Sequence, residues 1–349
     1  MAANGHGRNG AHLLVGLAGE TAPGRPMRSG LYRLAPGGGD WELATSGLPP
    51  APEVRAITPH PSQPGTVYAG AQDGPYLSED CGETWTRVPG VESGLPVWSI
   101  LFDPRDPSIM YVGGEDAQVH TSADGGKAWT RLSTDMRFPE ITMRPGANPA
   151  RRVLMMGASP FDRETLYGAI EVGGVMRSRD GGQTWANLSH GMYRDDQPVD
   201  THGILASGAT PGLVFSITGA GLFRSGDGGD HWGHVPLPPL DETGRLYTRA
   251  IQEAPNDPNV IWVGAGNGFD GDRGGLFKTE DGGGAWKRVD MGLQPASAIF
   301  CLAFNRERPD SVACASYRGQ VYVSEDAGNT WQERPLPEGA TQVYALAWA

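Results

Sequence analysis

Seven short segments of the chain carry a residue at their second position that could bind or transform a small molecule. These segments begin at residues 54, 97, 153, 201, 248, 299 and 343, and their second positions are Arg55, Trp98, Leu154, His202, Arg249, Phe300 and Tyr344. Arginine offers planar donors to anions, and aromatic rings offer a stacking surface. If the segments converge, the sequence predicts a site for an anionic or ring-shaped small ligand. The alternative is that these are packing residues whose charged ends reach solvent.

His202, Tyr344 and Asp200 are the candidates for catalysis in such a site, because imidazole, phenol and carboxylate groups can each transfer a proton. The connection that leads to His202 is the richest in polar side chains. Its further ligand-binding candidates are His190, Tyr193, Asp195 and Asp196. A solvated loop with one buried histidine is the alternative interpretation of this connection.

A divalent metal is a second use for the same connection. His190, His202 and Asp196 could supply nitrogen and oxygen ligands, but their spacing matches no fixed metal-binding motif. The segment Asp270-Gly-Asp272 lacks the other ligands of a calcium loop and is interpreted as a glycine-rich loop. No cofactor is therefore expected, and a divalent metal is kept as the alternative.

A phrase of eight residues, Ser/Thr-x-Asp-x-Gly-x-x-Trp, occurs six times and ends at Trp85, Trp129, Trp185, Trp232, Trp286 and Trp331. An Asp two residues before a Gly is typical of a tight turn, because the carboxylate accepts backbone N–H groups and glycine adopts positive φ. The residues on both sides are strand-like. Each phrase is therefore predicted to join two antiparallel strands.

The segments and the phrases together define a repeating unit of four strands. Four-stranded units of about 45 residues repeated around a centre indicate a β-propeller. The predicted blades are 54–88, 97–132, 153–188, 201–235, 248–289 and 299–334, with a seventh from 343–349 plus 12–45. The chain is thus predicted to be one all-β domain, a seven-bladed propeller of four-stranded antiparallel blades. Its C-terminal strand pairs with the N-terminal strands and closes the ring.

Insertions are predicted on the propeller face opposite the repeated phrases. They occur between the fourth strand and the next first strand, around residues 133–152, and between second and third strands, at residues 20–29 and 266–274. The first strands of a propeller line its channel, and their starting ends open on this same face. Loops added to one face of a rigid scaffold are a usual place for binding.

The repeated phrase resembles the Asp-box, or bacterial neuraminidase repeat, of sialidases, xyloglucanases, sortilin-type receptors and photosystem II assembly factors. The resemblance implies a propeller, but its members differ in function. Sialidase chemistry requires three arginines and a Tyr–Glu pair, of which this chain matches Arg55 and Arg249, with Tyr344 or Tyr317 as the phenol. Xyloglucanases build their cleft from two propellers, and this chain has the length of one.

Composition limits the classes of partner. The chain has 28 basic and 40 acidic residues in 349, which argues against nucleic acid or an anionic membrane as the partner. Its three cysteines are expected to be free thiols, with Cys301 and Cys314 as neighbours on one hairpin. No secretory signal or membrane span is recognised, so a cytoplasmic location is expected.

Two functional hypotheses follow. The first is a protein that binds a small anionic or carbohydrate-like ligand at the channel mouth; as an enzyme it would hydrolyse or otherwise transform that ligand, as a glycosidase-like hydrolase or a lyase. The second is a non-catalytic scaffold or assembly factor that docks a protein partner through the same face. An enzyme needs a deep polar pocket, whereas a docking surface is broad and carries exposed aromatic residues.

Overall fold

A computed structural model gives the structure of residues 10–19, 29–132, 151–192, 199–290 and 292–349. These residues form seven four-stranded antiparallel sheets, the blades of a β-propeller, and one 3-10 turn at Glu115–Ala117. The predicted all-β, seven-bladed fold is confirmed. Within the same ranges no helix has the length and apolar character needed to cross a membrane.

The strands are numbered along the chain, and each blade is described from the channel outward. Blade 1 contains β4 (Ala56–Pro59), β5 (Val67–Ala71), β6 (Gly74–Ser78) and β7 (Thr86–Arg87). Blade 2 contains β8 (Val97–Phe102), β9 (Met110–Gly114), β10 (Val119–Ser122) and β11 (Thr130–Arg131). Blade 3 contains β12 (Val153–Ala158), β13 (Leu166–Ile170), β14 (Gly174–Ser178) and β15 (Ala186–Asn187).

Blade 4 contains β16 (Thr201–Ala206), β17 (Val214–Thr218), β18 (Gly221–Ser225) and β19 (Gly233–Val235). Blade 5 contains β20 (Tyr247–Ala254), β21 (Asp257–Gly266), β22 (Gly274–Thr279) and β23 (Lys287–Arg288). Blade 6 contains β24 (Ile299–Phe304), β25 (Val312–Ser316), β26 (Val321–Ser324) and β27 (Gln332–Glu333). Blade 7 contains β28 (Val343–Trp348), β1 (Leu13–Leu17), β2 (Gly30–Leu34) and β3 (Glu42–Leu43).

Burial changes in order across each blade. The second strands β5, β9, β13, β17 and β25 are buried at every residue, because both faces of the sheet pack on neighbouring blades. The fourth strands β3, β11, β15, β23 and β27 have two exposed residues each. Outer edges this short and polar offer little template for pairing with another chain.

The ring is closed by pairing between the two ends of the chain, as predicted. β28 pairs with β1 in antiparallel register, with Leu346 opposite Val15 and Trp348 opposite Leu13. His12 and Ala349 each donate a backbone hydrogen bond to the other, which extends the ladder by one residue pair. The innermost strand of blade 7 therefore comes from the opposite end of the sequence from its other three strands.

The repeated phrase forms a hydrogen-bonded turn between third and fourth strands. In blade 2, the Ser122 hydroxyl donates to the Asp124 carboxylate (2.8 Å) and accepts the Gly126 N–H (2.9 Å). The other Asp124 contacts are the backbone N–H groups of Lys127 and Ala128. The same Ser/Thr–Asp and Gly–Ser/Thr bonds recur in the remaining copies. The Ser/Thr and the Asp of the phrase therefore both have a structural role in the turn.

The glycine at the fifth position of the phrase is required for two separate reasons, and blade 5 allows them to be distinguished. Gly282 and Gly283 are adjacent and have φ of +69° and +92°. A Cβ at Gly283 would lie 2.5 Å from the buried Phe215 ring, whereas one at Gly282 would meet nothing closer than 3.5 Å. Gly283 thus combines backbone strain with a steric clash, and Gly282 has the strain alone.

Gly283→Ala is accordingly expected to destabilise the protein more than Gly282→Ala. A left-handed alanine costs about 1–2 kcal/mol, and overpacking adds about 1–3 kcal/mol. Urea unfolding of both variants measures the difference, with Gly282→Ala as the matched control. Equal losses would show that Phe215 moves aside without penalty.

The two cysteines predicted to be neighbours lie on paired strands. Cys314 is opposite Leu302 and Cys301 is opposite Ala315, and both thiols are free and buried. Burial raises the pKa of Cys301 to about 12, so this thiol keeps its proton at neutral pH. Cys81 lies half-buried in the turn of blade 1.

Candidate functional site at the channel mouth

A β-bulge aims the predicted side chains toward the channel. In six first strands the pairing register skips the second residue of the segment. The skipped residues are Trp98, Leu154, His202, Arg249, Phe300 and Tyr344. In blade 1 the pairing begins at Ala56, immediately after Arg55. Bulges of this kind redirect a side chain and end regular pairing, so one local irregularity creates a ring of side chains.

These side chains surround one cavity of about 210 Å³ in the channel. The predicted residues that line it are Arg55, Trp98, Leu154, His202, Arg249, Phe300 and Tyr344. The residue after each is mostly small, as with Ala250, Cys301 and Ala345, which also line the cavity. The volume is below the range of about 300–1,000 Å³ for drug-sized ligands, so the space suits roughly one ring.

Arg55 is only partly satisfied by its neighbours. Its Nη2 forms an ion pair with Glu53, and its guanidinium carbon lies 4.6 Å from the centre of the Trp98 ring. Its Nε and Nη1 are buried and have no hydrogen-bond partner within the described residues, and the same holds for Trp98 Nε1. Burial lowers the pKa of Arg55, and Glu53 opposes that effect. Three donor atoms therefore remain unpaired at one side of the mouth.

Arg152, which sequence reasoning missed as a site residue, lies against the same indole. Its guanidinium carbon is also 4.6 Å from the Trp98 ring centre. Its Nη1 bonds to Glu171 at 2.7 Å and its Nε to Glu115 at 3.4 Å. Burial alone would lower the pKa of Arg152, but these two carboxylates raise it. Arg152 is thus held between two acidic side chains.

Arg249 differs from both of these arginines. Its guanidinium carbon lies 4.8 Å from the centre of the Phe300 ring. Among the described residues it forms no hydrogen bond or ion pair, and its effect on Asp200 is through charge alone. The Arg249 side chain is half-buried. It is therefore a cation with free donors at the mouth.

His202 uses both ring nitrogens. Nδ1 lies 2.7 Å from the Thr248 carbonyl oxygen in blade 5, and Nε2 lies 3.1 Å from the Asp200 carboxylate. Both partners accept hydrogen bonds, so both bonds form together only when each nitrogen carries hydrogen. The ring is 2% exposed. Burial alone would raise the pKa of Asp200, but its hydrogen bond and charge interaction with His202 hold that pKa below the ordinary value.

Aromatic side chains form a continuous run around half of the mouth. From Trp98 the ring centres follow at 5.9 Å to Tyr344, 5.8 Å to Phe300, 6.4 Å to Tyr247 and 4.5 Å to His202. The Tyr247 and Phe300 rings are stacked, with an interplanar angle of 26°. Burial raises the pKa of Tyr247 well above its ordinary range, so its phenol stays protonated. This run forms an aromatic wall, and its rings Phe300 and Tyr344 lie between Arg249 and Arg55 in the order of the blades.

The inserted connection between β21 and β22 adds a further ring to the wall. Phe269 is 44% exposed, and its ring centre lies 5.4 Å from Tyr317 and 6.3 Å from Phe300. Tyr317 in turn lies 4.6 Å from Phe300. The predicted insertion at 266–274 therefore does reach the mouth. The other two predicted insertions, around 133–152 and 20–29, lie largely outside the described residues.

The site residues outside the predicted ring occupy two repeated positions in the blade; Asp200 and Tyr317 were already candidates, and Glu53, Glu115, Arg152, Glu171 and Tyr247 were missed. Glu53, Arg152, Asp200 and Tyr247 each precede the first residue of their inner segment by one. Glu115, Glu171 and Tyr317 each follow directly after a second strand. Alternation along a strand puts the residue before a segment on the same side as its second residue, so the first set could have been found from the sequence.

The remaining predicted site residues are less closely tied to the cavity. His190 is exposed after β15, on the outer side of blade 3, and does not line the cavity. Tyr193, Asp195 and Asp196 lie outside the described residues. In the ranges that the structure describes, no group of three His, Cys, Asp or Glu residues is placed to hold a metal ion.

Comparisons with known proteins show two kinds of relative, and no family model matches the chain. A xyloglucanase from Paenibacillus sp. is 24% identical over 323 residues, which are 77% of this chain and 31% of that protein. An oligoxyloglucan-reducing end-specific xyloglucanase from Emericella nidulans is 20% identical over 328 residues, covering 80% of this chain and 40% of its own length. The chain thus spans 31% to 40% of the length of these relatives.

The second kind of relative is closer to this chain in length. A photosystem II assembly lipoprotein, Ycf48 of Synechococcus sp., is 21% identical over 268 residues, covering 66% of this chain and 73% of that protein. Among solved structures, a xyloglucanase from Xanthomonas campestris matches 97% of this chain and 52% of its own, with a TM-score of 0.65 and 17% identity. Ycf48 from Cyanidioschyzon merolae matches 87% and 90%, with a TM-score of 0.58 and 20% identity. The chain is therefore a relative of xyloglucanases and of Ycf48, and the β-propeller is what they share.

Proposed function

We propose that the protein binds a small anionic ligand at the channel mouth. The observation that carries this proposal is a set of donors without a partner among the described residues: Arg55 Nε and Nη1 and Trp98 Nε1, which are buried, and the half-buried Arg249 guanidinium. A buried donor without a partner costs about 1–3 kcal/mol, and a ligand that supplies acceptor oxygens removes that cost. We also infer, from the six copies of one hydrogen-bonded turn, that the chain belongs to the Asp-box propellers.

Binding rather than turnover is proposed because the catalytic candidates are already engaged. Both ring nitrogens of His202 lie within hydrogen-bond distance of a partner, and Asp200 also accepts from the Val172 N–H at 3.3 Å. A general base needs a free lone pair near the substrate. Tyr344 lines the cavity, and its side chain interacts with that of Tyr317. The xyloglucanase relatives favour a sugar as the ligand.

The proposal is tested by thermal shift and native mass spectrometry with carboxylates, sugars and divalent metals. Wild type is expected to be stabilised by at least one carboxylate-bearing compound, and Arg55→Ala/Arg249→Ala to lose that stabilisation. Arg245→Ala is the matched control, since Arg245 is exposed in the connection that leads to blade 5. Equal binding by the double variant, or no binding by wild type, would reject the small-ligand function.

Protein docking is the second candidate, and Phe269 is the observation that favours it. A phenylalanine that is 44% exposed on an inserted loop is a suitable anchor for a partner. The length match to Ycf48, an assembly protein by name, supports the same view. If docking is the function, small molecules do not bind, and Phe269→Ala abolishes partner capture while the variant still unfolds cooperatively.

A further inference from the structure

The charged groups divide the channel mouth into two unlike halves. Around Trp98 lie Arg55 and Arg152, and the carboxylates in contact with them are Glu53, Glu115 and Glu171. Among the described residues in these contacts there is one more carboxylate than guanidinium group. On the other side of the aromatic wall, Arg249 has no ion-pair partner among the described residues, and the Asp200 carboxylate that its charge affects is bonded to His202. A negative charge is thus more favourable at Arg249 than beside Trp98.

The half around Trp98 presents donors and acceptors side by side. The donors are Arg55 Nε and Nη1 and Trp98 Nε1, all of which are buried and unpaired in the described structure. The acceptors are the three carboxylates, which lie outside the lining of the cavity and whose side chains are 35%, 28% and 25% exposed. A hydroxyl group both accepts and donates, so a ligand with several hydroxyls can satisfy both sets. A carboxylate in this position would satisfy the donors but oppose the three acidic groups.

The wall between the two halves can contact a saturated or aromatic ring on two sides, because the Phe300 and Tyr344 rings are nearly perpendicular, at 86°. Phe300 and Tyr344 lie between Arg249 and Trp98 in the order of the blades. The cavity volume of about 210 Å³ holds roughly one such ring. A ring bound there would have one end at Arg249 and the other at Trp98.

From this arrangement we infer that the ligand is a single acidic sugar unit, of the uronic acid class. Its carboxylate pairs with Arg249, its ring lies against Phe300 and Tyr344, and its hydroxyls bond to Arg55, Trp98 and the neighbouring glutamates. The inference rests on the proposed small-ligand function and adds the chemical class. The three requirements are separate, so each can be removed independently in a set of probes.

The test compares three kinds of ring by isothermal titration calorimetry. Methyl glucuronide and methyl galacturonide carry ring, hydroxyls and carboxylate; methyl glucoside and methyl galactoside lack the carboxylate; cyclohexanecarboxylate lacks the hydroxyls. At least one uronide is expected to bind about tenfold or more tighter than its neutral partner and than cyclohexanecarboxylate, since hydrogen bonds to charged groups exceed 1.4 kcal/mol, which is about a factor of ten.

Two variants locate the ends of the ligand. Arg249→Met is expected to reduce uronide affinity to that of the neutral glycoside, while Arg245→Met, the exposed control, leaves it unchanged. Trp98→Phe keeps an aromatic ring but removes Nε1–H, and is expected to weaken both the uronide and the neutral glycoside by several-fold. Circular dichroism and melting curves establish that each variant is folded.

The outcomes separate the inference from the function on which it rests. If cyclohexanecarboxylate binds as tightly as both uronides, and Trp98→Phe has no effect, the mouth is an anion site and the sugar class is wrong. If uronides and neutral glycosides bind equally, the role given to Arg249 is wrong. If none of the probes binds but another carboxylate does, only the class is overturned. If no anion binds, the proposed function is overturned as well.

Discussion

A chain that ends at residue 342 is expected to lose cooperative unfolding altogether. The deletion removes β28, which pairs with β1 over the whole of Leu13–Leu17. Val343 and Leu346 are 0% and 7% exposed, and each contributes about 1.5–3 kcal/mol by burial. Their packing partners in β1 would lose their cover at the same time. These losses together are comparable with the about 5–15 kcal/mol that stabilises a typical domain.

Near-ultraviolet circular dichroism against urea measures this result, and a circular permutant is the matched control. Residues 12 and 349 exchange backbone hydrogen bonds of 2.7 and 2.8 Å, so a two-residue hairpin can join Ala349 to His12 once residues 1–11 are removed. A permutant that begins at Gly339 then contains every strand but supplies β28 from its N-terminus. It is expected to unfold cooperatively. A truncated chain with the same unfolding curve as wild type would show that blade 7 does not need its inner strand.

The fold was predictable because the same residue types recur at the same positions of the repeat in each blade. The glycine of the phrase has φ between 82° and 96° in all six copies, so the sequence signature maps directly onto a backbone requirement. The closing blade was predictable for the same reason, since Val343-Tyr-Ala-Leu repeats the inner-strand pattern. In each case the same backbone requirement recurs in every blade, so the residues that meet it recur in the sequence.

The site was predictable only in part, because its remaining residues come from connections of varied length. The ring from Arg55 to Tyr344 could be listed in advance, since one bulge position recurs in every blade. Arg152 lies two residues before Leu154, and Tyr247 two residues before Arg249, on the same side of the strand. The prediction missed them because it used only the second position of each segment. Glu115 and Glu171 follow second strands, so no spacing from Arg152 predicts their contact with it.

The partners of the arginines illustrate what spacing cannot supply. Two arginines at one mouth predicted anionic partners, and Arg55 has one in Glu53, two residues away. Arg249 has none within the described residues, although its position in the repeat is the same. The difference depends on which residue comes directly before the inner segment: Glu53 before residue 54 in blade 1, and the aromatic Tyr247 before residue 248 in blade 5. Equivalent positions therefore carry different chemistry, and the asymmetry of the mouth follows.

His202 is the residue whose role the structure changes most. Sequence reasoning offered it as an acid or base, whereas its two hydrogen bonds link the start of blade 4 to the carbonyl of Thr248 in blade 5. It also contacts Tyr247, the last ring of the aromatic wall, at 4.5 Å. The orientation of His202 is therefore coupled to the shape of the cavity. Asp200, which fixes that orientation, is the place to test the coupling.

Asp200→Ala is expected to lower the free energy of unfolding by about 1–3 kcal/mol at pH 7, because it leaves the buried His202 Nε2 without an acceptor. The Val172 N–H loses its acceptor too. The Asp200 side chain is 31% exposed, so water reduces the loss below that of a fully buried ion pair. Asp200→Asn retains one acceptor oxygen and should show an intermediate loss. Glu338→Ala, an exposed carboxylate on the same face, is the control.

The pH dependence distinguishes this pair from simple loss of packing. The pKa of Asp200 is lower in the folded protein, because its hydrogen bond and charge interaction with His202, the Val172 N–H and the charge of Arg249 outweigh the opposing effect of burial. A carboxylate whose pKa is lower in the folded protein stabilises the fold at pH values above its unfolded pKa of about 3.9. That contribution is lost as the pH falls through the pKa of the folded protein. The difference in unfolding free energy between wild type and Asp200→Ala should therefore narrow as the pH falls below about 4. A difference that does not change with pH would mean that Asp200 acts by packing and that His202 is held by Thr248 alone.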